Sequence, residues 1–141
     1  MLTFHIAAIR TSPAKRATAV LIVDRDPRVR GALRGMIELV DDLRVVGEAS
    51  SAEEALALDR RLVPEVVLLD LSLPTSSDGV ATLRELVARR RAVVATSIKG
   101  GLSGTAHAAG ARAFVEKSRG AIEGLPEAIR AASGRSRPPG R

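Results

Sequence analysis

Residues 64–74 read Pro-Glu-Val-Val-Leu-Leu-Asp-Leu-Ser-Leu-Pro, and this stretch decides the fold of the chain. Its centre, residues 66–69, is apolar without polar alternation, which is typical of a strand that is covered on both faces in a parallel sheet. The apolar run ends in a single carboxylate, Asp70. Because ligands of open α/β sheets bind at the carboxyl ends of the strands, we expect the chemistry of this protein at Asp70. Pro74 then prevents regular strand pairing from continuing.

Short β-favouring runs alternate with helical patterns along the chain. The predicted strands are residues 20–23, 44–49, 66–69 and 92–95, and residues 110–117 are predicted as a turn followed by the fifth strand. The predicted helices are residues 27–40, 51–62, 78–90, 103–109 and 122–132. Strands that alternate with helices form parallel sheets with right-handed crossovers. The sequence therefore predicts an α/β fold, with a five-stranded parallel sheet and helices on both of its faces.

Local signals mark where the helices begin and end. Asp26 and Ser51 are the predicted N-caps of the first two helices, and Glu54 completes a capping box with Ser51. The Asp-Gly pair at residues 78–79 predicts a turn and a cap for the third helix. The three arginines at residues 89–91 are interpreted as a solvated end of that helix, where the helix dipole favours positive charge.

The composition limits the classes of function. With 141 residues, of which 45% are hydrophobic, the chain is long enough for one domain with a sizeable core. It has no cysteine, so disulfides and thiolate chemistry are excluded, and it has two phenylalanines as its only aromatic residues. Stacking on nucleobases is therefore hardly available. No apolar run reaches the roughly 20 residues that a membrane span requires, and no membrane association is expected.

Basic charge is concentrated at the two ends of the chain. The formal net charge is +6, whereas residues 20–133 hold equal numbers of basic and acidic side chains. We therefore predict a disordered extension at residues 1–18, a folded domain at residues 19–133, and a basic Gly/Pro/Ser tail or truncated linker at residues 134–141. Deletion of residues 1–18 and 135–141 is expected to leave the domain folded.

The residues that end four of the predicted strands share one edge of the sheet. They are Asp24, Asp70, Thr96 and Lys117. A carboxylate that attacks phosphorus needs the charge of the incoming phosphoryl group neutralised, which a divalent metal and a lysine can supply. The alternative interpretation is that Asp24 and Lys117 form a structural ion pair at the edge of the sheet.

With these motifs the sequence resembles the response regulator receiver domain of two-component signalling, over residues 20–133. The motifs are Val-Leu-Ile-Val-Asp24, Val-Val-Leu-Leu-Asp70-Leu-Ser-Leu-Pro74, the strand end at Thr96, and Gly110-Ala111-x-x-Phe114-x-x-Lys117. The resemblance implies a flavodoxin-like fold of the receiver type. It also implies that Asp70 is the phosphoacceptor, that Thr96 and Lys117 act on the phosphoryl group, and that Phe114 is the aromatic residue that switches.

The resemblance also implies partners. A receiver domain in a bacterial-type phosphorelay would take its signal from a histidine kinase or another signalling protein, would be cytoplasmic, and would have no enzymatic activity beyond its own phosphorylation and dephosphorylation. A homodimer is compatible with this class. Residues 127–135 resemble the end of receivers in the NarL/LuxR class of DNA-binding regulators, but no helix-turn-helix segment follows them. DNA binding is therefore not expected.

One residue departs from the receiver pattern at the metal site. The ligands that the resemblance implies for Mg²⁺ are the carboxylates of Asp24 and Asp70 and the carbonyl oxygen of Ser72. Receivers carry a second acid after the first strand, where this chain has Arg25, and Asp26 matches the position after it. The loss of a carboxylate and the gain of a positive charge predict severely weakened magnesium binding.

Arg25 is expected to replace the metal. Its guanidinium is predicted to reach the carboxylates of Asp24 and Asp70, so that a fixed cation takes the place of a removable one. On this interpretation, truncation of Arg25 to alanine costs on the order of 1 kcal/mol, because the edge of the sheet is open to solvent.

Three hypotheses about function follow from the sequence. The first is a receiver-like signalling module in which phosphorylation of Asp70 is impaired or absent because of Arg25. The second is a fully competent receiver with magnesium-dependent phosphotransfer. The third is a small-molecule-binding flavodoxin-like domain, against which stands the loop of residues 100–105, which lacks the fingerprint of a phosphate-binding loop.

Overall fold

Five parallel strands carry the site at one edge of the sheet that they form. The computed structural model describes residues 16–118 and 122–134, and the strand order in the sheet is β2-β1-β3-β4-β5. The strands are β1 (Thr18–Val23), β2 (Leu43–Ala49), β3 (Val66–Asp70), β4 (Ala92–Ser97) and β5 (Ala113–Glu116). Every pairing is parallel, so the predicted fold class is confirmed.

Helices cover both faces of this sheet. They are α1 (Pro27–Ile37), α2 (Ala52–Leu62), α3 (Ser76–Ala88), α4 (Ser103–Ala108) and α5 (Leu125–Ser133), and the 3-10 turns Gly100–Leu102 and Ile122–Gly124 precede the last two helices. One core cluster contains side chains of α1 and α5, and the other contains side chains of α2, α3 and α4. None of the helices within residues 16–118 and 122–134 is long and apolar enough to cross a membrane.

The central strand β3 is buried on both faces, as its unbroken apolar run predicts. All five of its residues are buried. Val67 and Leu69 belong to one core cluster, and Val66 and Leu68 belong to the other. Consecutive strand residues point to opposite faces, so an uninterrupted apolar run is required where both faces are covered.

The caps of α1 and α2 lie where the sequence places them. The side chain of Asp26 accepts a hydrogen bond from the backbone N–H of Arg28 at 2.9 Å. Ser51 Oγ accepts one from Glu54 N at 3.2 Å. The capping box differs in one bond, because the Glu54 carboxylate binds the backbone N–H of Ser50 at 2.7 Å rather than that of Ser51.

The start of α3 corrects the predicted turn at residues 78–79. Thr75 is the N-cap, with its hydroxyl oxygen 3.4 Å from Asp78 N, and it donates to Asp78 Oδ2 at 2.7 Å. Gly79 lies inside the helix and packs directly against the backbone of Leu71. A glycine is needed here because two backbone segments meet, and no turn is involved.

The arginines at residues 89–91 are not a solvated helix end, which corrects that prediction. Arg89 and Arg91 both bind the carboxylate of Asp59, which is fully buried on α2. The intervening Arg90 has a left-handed backbone with φ 66° and is exposed. The run is therefore a structural contact between the end of α3 and the middle of α2.

The first strand begins earlier than predicted. Thr18, which the sequence interpretation assigns to the disordered extension, is the first residue of β1 and is buried. Its backbone N–H donates to Asp42 O at 2.8 Å, and it pairs with Leu43 of β2. Residues 1–15 and 135–141, for which disorder and a basic tail are predicted, lie outside the described residues.

Deletion of residues 1–18 is therefore expected to lower the free energy of unfolding by about 1 kcal/mol relative to deletion of residues 1–16, because it removes one buried backbone hydrogen bond and one buried side chain. Urea denaturation of the two truncated chains, with residues 135–141 kept in both, measures this difference. Equal stability of the two truncated chains would show that the pairing of Thr18 with the start of β2 contributes nothing to the free energy of unfolding.

Candidate functional site

Four strand ends converge on one buried polar cluster at the carboxyl edge of the sheet. Asp24 follows β1, Asp70 ends β3, Thr96 lies in β4 beside Asp70 in the strand register, and Lys117 follows β5. Asp24 is 2% exposed, and Asp70 and Thr96 are 3% exposed. The structure therefore brings together the four residues that the sequence placed at one edge.

Lys117 lies between the two carboxylates. Its Nζ forms an ion pair with Asp24 Oδ2 and lies 3.2 Å from Asp70 Oδ2. The backbone N–H of Lys117 donates to Ser97 O at 2.8 Å, which holds the start of the lysine side chain against β4. Two acids that would otherwise repel each other thus share one buried cation.

The remaining oxygens of the two carboxylates are bound by neighbouring loops. Asp24 Oδ1 accepts a hydrogen bond from Asp26 N at 2.9 Å. Asp70 Oδ1 accepts from Ser72 N at 3.1 Å and from Ser72 Oγ at 2.8 Å. Each of the four carboxylate oxygens therefore has a donor or a cation of the protein beside it.

Arg25 does not lie where the sequence interpretation placed it. Its side chain is exposed, and within the described residues it forms no ion pair with Asp24 or Asp70. The cation that these acids bind is Lys117. The predicted contact of Arg25 with the two carboxylates, as a fixed replacement for the metal, is therefore wrong. The expected stabilisation of about 1 kcal/mol depended on that contact, so it is no longer expected.

Arg25 instead borders two clefts at the mouth of the site. The first, of about 450 Å³, is lined by Arg25, Ser72, Pro74, Thr75, Ser97, Ile98, Lys99 and Leu102. The second, of about 440 Å³, lies toward the start of α2 and includes the acids Glu53 and Asp78. Arg25 therefore adds a positive charge at the entrance to Asp70, whereas the cation that binds the buried carboxylates is Lys117.

Phe114 lies in β5, beside Ala95 of β4. It is half-buried and packs against the core cluster on the face of α2, α3 and α4. Its role as a switch stays a prediction, as do the roles of Thr96 and Ser72 at the site.

The carboxylates that this site offers to a magnesium ion are those of Asp24 and Asp70. Mg²⁺ takes oxygen ligands in near-octahedral geometry, commonly one or two carboxylates with several waters. Within the described residues no group of three or more His, Cys, Asp or Glu side chains is placed to hold a metal. The two carboxylates present, Asp24 and Asp70, already contact Lys117, and the neighbouring position at Arg25 supplies a cation instead of an oxygen.

A second arginine, Arg30, holds the β1 end from α1, and the sequence analysis missed it. Arg30 Nη1 donates to the backbone carbonyl of Asp24 at 2.6 Å, and its Nε binds Glu48 Oε1 at 3.3 Å. Arg30 lies one helical turn after the cap residue Asp26, which places it over the end of the strand. The hydrophobic pattern of α1 carries no signal for such a polar contact.

Comparisons with known proteins agree with this architecture. A parallel sheet with two acids, a hydroxyl and a lysine at its strand ends defines an α/β domain of the receiver type. Residues 20–130 match the model of the response regulator receiver domain. The chain belongs to this family, the receiver domains of two-component response regulators.

Two solved structures illustrate the similarity. The response regulator domain of Thermotoga maritima CheB has a TM-score of 0.74 and 28% identity, over 84% of this chain and 98% of that one. A LuxR-family response regulator from Aurantimonas sp. SI85-9A1 has a TM-score of 0.76 and 31% identity, over 84% of this chain and 87% of that one.

Relatives known from their sequences are longer than this chain. A protein-glutamate methylesterase/protein-glutamine glutaminase 3 of Paramagnetospirillum magneticum is 34% identical over 111 residues, which are 79% of this chain and 29% of that protein. The nitrate/nitrite response regulator NarL of Escherichia coli K12 is 37% identical over 67 residues, which are 48% of this chain and 31% of that protein. The chain thus spans less than a third of the length of either relative.

Proposed function

We propose that this protein is a signalling receiver whose phosphorylation at Asp70 is impaired because Arg25 stands where the receiver pattern has a second acid for the metal. The proposal is supported above all by the position of Arg25, which follows Asp24 directly and borders the same cleft as Ser72 and Ser97. Lys117 belongs to the receiver pattern and pairs with both acids, so it does not take the place of the missing acid. Membership in the receiver family supplies the signalling context.

Phosphorylation of Asp70 would require a carboxylate oxygen to attack the phosphorus of a donor while the bond from phosphorus to its leaving group breaks. The negative charge of the phosphoryl oxygens must be neutralised at that moment. Lys117 can supply one positive charge, but it is already bound by two acids. Arg25 lies in the outer cleft rather than against the Asp70 carboxylate, so it does not replace the missing metal charge.

The variant Arg25→Asp is expected to restore both metal binding and phosphorylation. The receiver pattern has an acid at this position, so a carboxylate at position 25 would supply the metal ligand that the natural chain lacks and would remove one positive charge that repels the metal. We expect magnesium titration at millimolar concentration to give a saturable change in the amide signals of the site in Arg25→Asp and none in the natural chain. After incubation with acetyl phosphate and magnesium, mass spectrometry should show an increase of about tenfold in the phosphorylated fraction, equivalent to ~1.4 kcal/mol.

Two controls make this experiment specific. Arg28→Asp makes the same change of charge three residues away, at a side chain that is 94% exposed and lines neither cleft, and it should leave phosphorylation unchanged. Asp70→Asn should abolish the added phosphoryl mass in every background. If the natural chain binds magnesium and is phosphorylated as readily as Arg25→Asp, the fully competent receiver becomes the better description.

The partners in this proposal follow from the family. A histidine kinase or another signalling protein would dock at the carboxyl edge of the sheet, and a homodimer remains compatible with the fold. We propose a cytoplasmic location and no enzymatic activity apart from chemistry at Asp70. DNA binding is not proposed, because residues 20–133 have no net charge. The small-molecule-binding hypothesis finds no support from residues 100–105, which form a 3-10 turn and the first residues of α4.

A further inference from the structure

Both peptide units that flank Asp24 are held by hydrogen bonds. The N–H of Asp24 donates to Ala49 O at 3.0 Å, and its carbonyl oxygen accepts from Arg30 Nη1 at 2.6 Å. Because a peptide unit is planar, these two bonds fix the backbone on either side of the Asp24 Cα atom, and with it the direction of the side chain. Asp24 is 2% exposed, so its carbonyl needs a partner within the protein, and Arg30 supplies it.

The start of α1 places Arg30 over the end of β1. Pro27 is the first residue of the helix, and the N–H of Arg30 donates to Asp26 O at 3.0 Å. Side chains of a helix tilt toward its N-terminus, so that of Arg30 extends back toward the loop that follows β1. Its side chain is 18% exposed, and its guanidinium therefore lies mostly within the protein.

Glu48 of β2 binds the same guanidinium from the sheet. Its Oε1 lies 3.3 Å from Arg30 Nε, and its Oε2 accepts from Arg34 Nε at 2.5 Å, one helical turn farther along α1. The shorter of these two bonds goes to Arg34. The shortest contact of Arg30 is with the carbonyl of Asp24, so the ion pair with Glu48 alone does not account for the position of Arg30.

The carboxylate of Asp24 connects this contact to the rest of the site. Its Oδ1 accepts from Asp26 N at 2.9 Å, and its Oδ2 forms the ion pair with Lys117. The Nζ atom of Lys117 also lies 3.2 Å from Asp70 Oδ2. A change in the direction of the Asp24 side chain would therefore change where Lys117 lies relative to Asp70.

From these contacts we propose that Arg30 is a positioning residue for the carboxylate of Asp24. By holding the Asp24 carbonyl, Arg30 keeps the carboxylate between Asp26 N and Lys117. Glu48 acts through Arg30, because it fixes the guanidinium from the side of β2. The inference rests on the proposed function only for the part that Asp24 takes in the chemistry at Asp70.

Arg30→Met and Arg34→Met are a matched pair of variants. Each removes one guanidinium that binds Glu48, and of the two arginines it is Arg30 that contacts the Asp24 carbonyl. In Arg30→Met the Asp26 amide, which donates to Asp24 Oδ1, should exchange with solvent about fivefold faster, as for the weakening of one hydrogen bond. The carboxyl carbon signal of Asp24 in NMR spectra should move as well. Both measurements should stay unchanged in Arg34→Met.

Arg30→Lys separates positioning from a merely structural role. Lysine keeps a cationic donor beside the Asp24 carbonyl, so the exchange rate of the Asp26 amide should return toward that of the natural chain. Urea denaturation gives the free energy of unfolding of each variant. The proposal is overturned if Arg30→Lys recovers the stability lost in Arg30→Met without recovering the Asp26 exchange rate. It is also overturned if Arg34→Met changes the Asp26 amide and the Asp24 carboxyl signal as much as Arg30→Met.

Phosphorylation distinguishes this inference from the proposed function. Added to Arg25→Asp, Arg30→Met should lower the fraction phosphorylated by acetyl phosphate and magnesium by about fivefold, whereas Arg34→Met should leave it unchanged. An unchanged fraction in the Arg25→Asp, Arg30→Met double variant would overturn the part of Arg30 in the chemistry at Asp70. If Arg25→Asp alone is phosphorylated no more than the natural chain, the proposed function fails, and the Asp26 exchange rate in the natural background still decides whether Arg30 positions the carboxylate.

Discussion

Gly79→Ala is expected to lower the free energy of unfolding by about 3 kcal/mol, because its methyl group would overlap a backbone segment that has no room to move. A Cβ at this position would lie 1.9 Å from Leu71 O, 2.4 Å from Leu71 C and 2.6 Å from Leu71 Cα. Leu71 is fully buried, and its N–H donates to Thr96 O at 2.9 Å. Relief of the overlap would require either α3 or the segment that follows Asp70 to shift.

A helical glycine elsewhere in the chain is the matched control. Gly35 lies in α1, and nothing lies within 4 Å of a Cβ built on it. Alanine there should be neutral or should stabilise the helix by up to about 1 kcal/mol, the difference in helix propensity. Urea denaturation of both variants gives the two values, and equal effects would show that the contact of Gly79 with Leu71 is not limiting.

Gly79→Ala should also disturb the site. Asp70 and Ser72 flank Leu71 directly, so a shift of this segment changes the hydrogen bonds of Ser72 to the Asp70 carboxylate. Amide signals of residues 70–72 should therefore move in Gly79→Ala and stay in place in Gly35→Ala. The close packing of α3 at Gly79 thus helps to fix the position of the Asp70 carboxylate.

Asp59→Ala is expected to destabilise the fold by about 3 kcal/mol, because it breaks an ion-pair cluster whose acid is buried. Asp59 is fully buried, its Oδ1 lies 2.6 Å from Arg91 Nε, and its Oδ2 lies 3.1 Å from Arg89 Nη1. Arg89 Nη1 also donates to Leu56 O at 3.0 Å. Without the carboxylate, two partly buried guanidinium groups lose their shared acceptor.

The pKa of Arg89 indicates that Asp59 is the main partner of this arginine. Hydrogen bonds to Asp59 first, and then to Glu85, raise the pKa of Arg89 above its ordinary value. Arg89 is thus charged throughout the accessible pH range, and the loss of Asp59 cannot be offset by its deprotonation.

Glu85→Ala is the matched control for the Asp59 variant. Glu85 Oε2 lies 3.1 Å from Arg89 Nε, but its side chain is 50% exposed. Its removal should cost less than about 1 kcal/mol, as for other solvent-exposed ion pairs. Chemical denaturation at neutral pH compares the two variants. If Glu85→Ala costs as much as Asp59→Ala, burial of the acid does not determine the strength of this cluster.

Local sequence patterns predicted most of the helices and strands. Burial of a strand or of one face of a helix imposes a pattern of apolar residues that is visible in the sequence. The run 66–69 predicted the central strand, and Asp26 and Ser51 predicted two caps. Boundaries were less accurate. Thr18 joins β1 because its N–H finds an acceptor at Asp42, and this contact depends on residues distant in sequence.

The sequence by itself determined that Asp24, Asp70, Thr96 and Lys117 lie at one edge, since the ends of parallel strands coincide wherever the strands pair. Only the tertiary structure decided which cation binds the acids. Lys117 reaches both carboxylates from the position after β5, whereas the side chain of Arg25 is exposed, and the direction of a long side chain at a loop position has no signature in the sequence. The same holds for Arg89 and Arg91, because the buried Asp59 that they bind lies about thirty residues earlier and is brought to them by packing alone.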